Sequence, residues 1–344
     1  MPQPTLQQSH VNVPLTNLSI AYLQRDTAYA CLQAAPVIPV DHKTNVYYIY
    51  KKDEWFRDDV QERAPSSESS GNGYNLDNTA QYNCHVYSHH HDIDDQIRSN
   101  MDPMLNADRD ASMFLMQKMQ IHLENIFVQN CFGTGLWGNP DQTGVAASPG
   151  ANQFLRWDLS GSTPIEDIQR QALVIASQTA YRPNTLVLGP YTALGLLNNP
   201  EIVDRVKYTQ PGFINTDILA TAFGVERVIV PSAIQNTNPE VVPIMSGVGS
   251  GAGTPTNTTT SWSSSFMYGK GALLYYRAPG AGLYQPSGIY TFGWRGLLGG
   301  VGNWVVVRRF RMEQLRSDRL EADLAIDVRL TGPDLGTFFA TAVS

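Results

Sequence analysis

The chain has 344 residues and a net charge of −7, and only 16% of its residues are charged, against roughly 25% in ordinary soluble domains. The length allows about two or three sub-domains around a sizeable core. The net charge does not announce nucleic-acid binding, which wants a clustered basic face, and a surface this poor in charge is either covered by neighbours or belongs to a loop-rich β protein. The first residues are polar and no apolar run approaches the length of a membrane span, so synthesis in a cytosol and no membrane partner are expected. Cys31, Cys84 and Cys131 are odd in number and lack CxxC spacing, which suits reduced buried thiols rather than a disulfide framework or a zinc site.

Residues 1 to about 40 carry little helical or strand pattern. Pro2, Pro4, Pro14, Pro36 and Pro39 keep this arm extended, and Leu18, Ile20, Tyr22 and Leu23 need an apolar surface, of this subunit or the next. Val46–Tyr50 is β-branched and aromatic, hence a strand, with Tyr82–Tyr87 as its expected partner. Between them runs a charged, then Ser/Gly-rich excursion from Lys51 to Asn78. A two-stranded hairpin that long is not stable alone in water. It is either disordered or laid on another molecule, and Trp55, Phe56 and Tyr74, apolar anchors that a free loop would not need, favour the second. Lys51, Lys52, Arg57, Asp58, Asp59 and Arg63 would match charges across that contact.

From Asp94 the pattern turns helical. Asp102-Pro103 reads as a cap and start, and Leu105, Leu115, Met119, Leu123 and Ile126 carry one helix to about Phe132, roughly 40 Å long. Thr163-Pro164-Ile165-Glu166 reads as a capping box with proline at the first helical position. Ile165, Ile168, Ala172 and Ile175 form that helix's buried face, and Pro183 bars continuation past Tyr181. Thr185–Leu188 has no polar side and suits a strand covered on both faces. Asn199-Pro200-Glu201 opens a short helix, Gly224 closes another over 216–223, and Val225–Val230 is a second buried strand. Asn236–Ser265 is a mobile loop by composition. Strands are expected at Phe266–Tyr276, Val305–Phe310 and Leu324–Leu330, the last alternating so that one face is wet.

No stretch commits to catalysis, and no cofactor is implied. His89-His90-His91-Asp92 with Asp94 and Asp95 has metal-like residues but no distant second ligand pair, and reads as a solvated lead-in to the long helix. Gly247–Gly253 mimics a phosphate loop but lacks the strand before it and the helix after it. Arg308, Arg309 and Arg311 head a run of arginines interleaved with Glu313, Asp318, Glu321, Asp323 and Asp327. This suits a salt-bridged subunit contact or a solvated strand face better than a DNA site.

The order of arm, long hairpin, long helix, compact α/β unit and closing strands resembles the major capsid protein of tailed bacteriophages, an α+β chain of the Hong Kong 97 type. Ala35-Pro36-Val37-Ile38-Pro39-Val40 and Asn45–Tyr50 are similar to that family's passage from arm into extended loop. Asp92–Asn100 and Asp108–Phe132, ending in Phe132-Gly133-Thr134-Gly135-Leu136-Trp137, are similar to its loop exit and spine helix. Pro183–Gly195, Asn199-Pro200-Glu201-Ile202 and Leu219–Val230 look like its axial domain. Phe266–Leu274 and Tyr290–Trp294 are similar to return strands in capsid proteins of phages infecting actinobacteria.

The resemblance implies an arm (1–45), an extended loop (46–93), a peripheral domain (94–162 and 296–332) with its spine helix at about 100–132, an axial domain (163–295) and a terminal tail (333–344). It also implies pentamers and hexamers of self in an icosahedral virion shell around double-stranded DNA, bound without sequence specificity. A portal protein is then an expected partner, with room for a separate scaffold and a decoration protein. Lys51, Lys52 and Asn303 lie in regions where some relatives cross-link, but nothing aligns them firmly and no cross-link is expected. The alternatives are an encapsulin-type compartment of the same fold and, further off, a soluble α/β enzyme with a long lid.

Overall fold

The structure, a computed structural model, describes residues 24–101, 106–206, 215–238, 263–280, 282, 285–298 and 305–344. Residues 1–23, the Asp102-Pro103 start, the Gly247–Gly253 run and Asn303 lie outside the described residues.

One sheet is organised by its longest strand, Ser317–Leu330. His85–Asp94 runs antiparallel along one of its edges, from Ser317 opposite Asp94 to Ile326 opposite His85. Val305–Met312 and then Ile289–Trp294 share the other edge, and Val37–Val40 adds in parallel beyond Ile289–Trp294. The long helix Ala107–Cys131 packs on this sheet through Leu115, Met119, Leu123 and Phe127, spaced four residues apart along one face. Its start is capped by the Asn106 side chain, which accepts from the Arg109 N–H at 3.1 Å.

The second sheet has the strand order Arg227–Ile229, Thr185–Leu188, Ala272–Tyr275, Gly336–Ala340, Gln142–Val145, Gln153–Leu155. Helices Pro164–Thr179, Pro190–Leu197, Pro200–Val206 and Thr216–Phe223 accompany it, and their apolar residues share a core with Phe154, Trp157 and Phe339. Gly224 adopts the left-handed conformation at φ 70° and its N–H bonds Ala220 and Thr221 carbonyls, as a glycine C-cap should.

Several expectations need correction. Pro164 does open its helix, but the Thr163 side chain makes no cap bond. Glu201 accepts from the Ile165 N–H instead, at 3.3 Å, so a residue distant in sequence meets an orphan donor of the first turn. The expected strand 46–50 is two short pieces, Thr44–Val46 paired with Gln81–Asn83 and Ile49–Tyr50 paired with Leu76–Asp77. Tyr87 instead belongs to His85–Asp94, opposite Leu324. The histidine run is therefore strand rather than a lead-in to the helix. The closing strand's expected wet face is mostly covered: Asp327 is buried, as are Asp318 and Asp323 further up the strand, and only Arg329 of that face stands exposed over Leu324–Leu330.

Residues 333–344 are not a loose tail. Gly336–Ala340 lies between two strands of the second sheet, pairing with Ala272–Tyr275 and Gln142–Val145. Phe339 is wholly buried there, with ring centroids 5.6 Å from Phe154 and 5.3 Å from Trp157. Truncating such an aromatic costs about 3–5 kcal/mol. Phe339→Ala should lower the unfolding free energy by that order in urea titration of the dissociated subunit.

Candidate assembly interface

The extended loop has a well-packed root and an uncovered tip. At the root, Tyr82 stacks on Phe292 with centroids 4.6 Å apart, Tyr47 stacks on the same ring at 5.9 Å, and the Asn83 N–H donates to Asp327 at 2.8 Å. The two short ladders follow, and then excursion 51–75. Every residue from 51 to 76 is exposed except Glu54, which is partly covered. Glu54 holds the excursion closed by accepting from the Asn75 backbone and side-chain N–H groups, and these bonds keep its carboxyl below the usual range.

Trp55, Tyr50 and Tyr74 form a small aromatic cluster at the tip, with centroids 5.4 to 6.1 Å apart. The cluster stays open to solvent: Trp55 is 54%, Phe56 62%, Tyr74 61% and Val60 88% exposed. With Val46, Tyr48, Ile49 and Leu76, this one segment holds eight of the 21 large apolar side chains that stand exposed among the described residues. That concentration is what marks a contact surface rather than ordinary scattered exposure. Sequence reading found Trp55, Phe56 and Tyr74 but missed Tyr48 and Val60. Val60 sits alone between Asp58, Asp59 and Glu62, a signal too small to notice without its exposure.

The charged candidates divide. Lys51, Arg57, Asp58, Asp59 and Arg63 lie on the exposed excursion. Asp59 takes a bond from Asn72 and Arg63 bonds the Ser67 carbonyl. Lys52 pairs with Asp334 at 2.5 Å, the ion pair that joins the excursion to the body among the described residues; both partners are solvated and the pair adds little. Arg308 lies in Val305–Met312 opposite Glu321. Arg309 and Arg311 take partners within their own chain. Asp318 accepts from Arg98 and Arg309 at 2.7 Å each and from Arg311 at 3.4 Å, while Arg311 makes a two-pronged bond to Asp95 and Arg309 reaches Asp108. This cluster ties the helix Asp95–Asn100 and the start of the long helix to two strands. Deeper in the sheet Arg319 grips Asp92 at 2.7 and 2.8 Å.

The histidines line the strand–helix seam. His89 and His91 face Phe114, Tyr87 packs edge-on against His122 at 4.4 Å, and burial lowers the pKa of His91 and His122. Among the described residues no His, Cys, Asp or Glu group is arranged to hold a metal, and no helix is long and apolar enough to cross a membrane.

A packed body of two sheets and a long helix, from which an arm root and an uncovered loop depart, is the Hong Kong 97-type capsid fold, and the chain is similar to phage capsid proteins. It is 24% identical over 224 residues to the major capsid protein of Burkholderia phage BcepMu, covering 65% of this chain and 69% of that one. A phage-related protein from Bordetella bronchiseptica RB50 matches with a TM-score of 0.63 at 19% identity, over 93% of this chain and 94% of its own. The capsid of cyanophage P-SCSP1u matches at 0.58 with 10% identity (96% and 92% covered), and the SrpI encapsulin of Synechococcus elongatus PCC 7942 at 0.57 with 11% (95% and 93%). No protein-family model matches the chain.

Arg309 and Arg319 bonds hold the Asp318 and Asp92 carboxyls below their ordinary value. Their contribution to stability is present above the unfolded carboxyl value, about 3.9, and is lost as pH falls through the lower folded values. Unfolding free energy should therefore drop on acidification below about pH 4. Asp318→Asn should be less stable than the parent at pH 7 and lose less between pH 5 and pH 3, read by chemical denaturation at each pH.

Proposed function

We propose that this chain is the major capsid protein of a tailed phage, a structural protein that assembles with itself into pentamers and hexamers of an icosahedral head shell. The observation that carries the reading is the uncovered aromatic tip of the extended loop. On a fold of this type, a neighbouring subunit is the surface that can cover it. Head-to-tail placement of each tip on the next subunit generates rings, which close when the rotation allows.

The curated relative bears the name major capsid protein, which supports the phage reading over the encapsulin one. The net charge of −7 suits a wall that encloses double-stranded DNA without gripping it. The same reading places the protein in the virion after synthesis in the host bacterial cytoplasm, with a portal protein as partner and room for a scaffold and a decoration protein. The arm (1–45), extended loop (46–93), peripheral and axial divisions carry over as the working map of contacts. The encapsulin alternative rests on the likeness to the SrpI shell. The contents of purified particles distinguish the two: DNA packaged with phage partners, or a protein cargo.

Protein expressed alone, or with a scaffold partner, should form closed particles visible by negative-stain electron microscopy. Trp55→Ala combined with Phe56→Ala should sharply reduce particle yield and leave the subunit's unfolding midpoint unchanged, because neither ring is buried in the isolated chain. Monomers and dimers alone under every assembly condition would overturn the reading.

A further inference from the structure

Glu124 is a buried carboxylate, 1% exposed, in the C-terminal half of the long helix Ala107–Cys131, and no cation pairs with it among the described residues. Its oxygens accept from the Ala30 N–H at 2.6 Å, the Cys31 N–H at 3.0 Å and the Tyr268 hydroxyl. Those donors come from two other parts of the chain. Ala30 and Cys31 open the one-turn helix Cys31–Ala34 at the root of the arm, and Tyr268 precedes strand Ala272–Tyr275 of the second sheet. The Tyr29 hydroxyl lies buried nearby without a hydrogen-bond partner among the described residues. Burial raises the pKa of Glu124 while its three donors oppose that rise.

A buried ion without a counter-ion is costly, and well-packed apolar residues commonly serve stability as well or better. What the carboxylate supplies is direction: two backbone amides can meet it in one register only. The register propagates. The Ala34 carbonyl accepts from Tyr275 at 2.7 Å and the Pro36 carbonyl from the Thr291 N–H at 3.0 Å, after which Val37–Val40 pairs with Thr291–Trp294. Asp41 then bonds Arg295 at 2.5 Å, and strand Thr44–Val46, paired with Gln81–Asn83, leads into the extended loop.

We infer that Glu124 is a positioning residue for assembly: the three-way joint that fixes the arm root in register and thereby sets where, and at what angle, the extended loop leaves the body. This rests on the shell reading, since the angle matters only if the tip must reach a neighbour. The joint also couples arm, long helix and second sheet, so none shifts against the others without breaking a bond to the same carboxylate.

Glu124→Gln keeps the shape but aims an N–H at one of the two arm amides. Hydrogen exchange by mass spectrometry on the dissociated subunit should show protection of the 29–35 segment falling about tenfold or more, with strand 185–188 unchanged. Electron microscopy of the assembled variant should show uniform closed particles replaced by irregular or open ones. If Glu124→Gln does not fold, Tyr268→Phe removes one donor and keeps both arm bonds. It should give a smaller loss of protection and a measurable spread in particle size. Parent-like exchange at 29–35, or parent-like uniform particles despite a loosened arm root, would overturn the inference in either variant. Failure of the unmodified protein to form particles would instead overturn the shell reading.

Discussion

Excursion 51–75 has no interior in which to place Trp55, Phe56, Val60 and Tyr74, and this constraint shapes the rest of the account. Apolar surface removed from water gains about 25 cal/mol per Å². Association opposes that gain through lost freedom of the partners and ordering of the loop. A single tip is therefore a modest contact. A closed shell repeats it once per subunit, so many contacts of moderate strength act together without any one being irreversible. The low charge of the chain fits the same picture, since surfaces buried between copies need few solvated groups.

Such a loop transmits force only if its root is held. Strand Ser317–Leu330 provides that footing, with hydrogen-bonded neighbours on both edges and the long helix against one face. Of its buried carboxylates, Asp318 is met by Arg98, Arg309 and Arg311, Asp327 by Arg329, and Asp323 by the Ser88 hydroxyl, so their charge and hydrogen-bonding capacity are satisfied within the sheet. Stacking of Tyr47 and Tyr82 on Phe292 joins the loop to this sheet. Beyond it, ladders of two and three residues on a side are weak enough to let the tip adjust to its seat.

Much of this was legible in local pattern. The helices at 107–131 and 164–179 announce themselves through spacing, and Thr185–Leu188 and Gly224 through burial and turn chemistry. What escaped depends on pairing across long stretches of chain. Gly336–Ala340 is short and carries Thr337, and only its position between two other strands makes it a strand of the core. Leu324–Leu330 reads as half-wet because apolar and polar residues alternate, and the arginines that meet the acids of the full strand come from residues 98, 309, 311 and 329. For the same reason the partners that Arg309 and Arg311 take within the chain, Asp95, Asp108 and Asp318, are not assignable from sequence alone. The aromatic tip was legible because Trp and Phe are conspicuous in a charged stretch. The Glu124 joint was not, since a lone acid on a long helix gives no sign of being buried.

The central claim is that the extended loop is incomplete until another copy receives it. Hydrogen exchange of residues 51–75, compared between dissociated subunits and assembled particles, tests this directly. The account predicts near-intrinsic exchange in the subunit and strong protection in the particle. Equal protection in both states would contradict it.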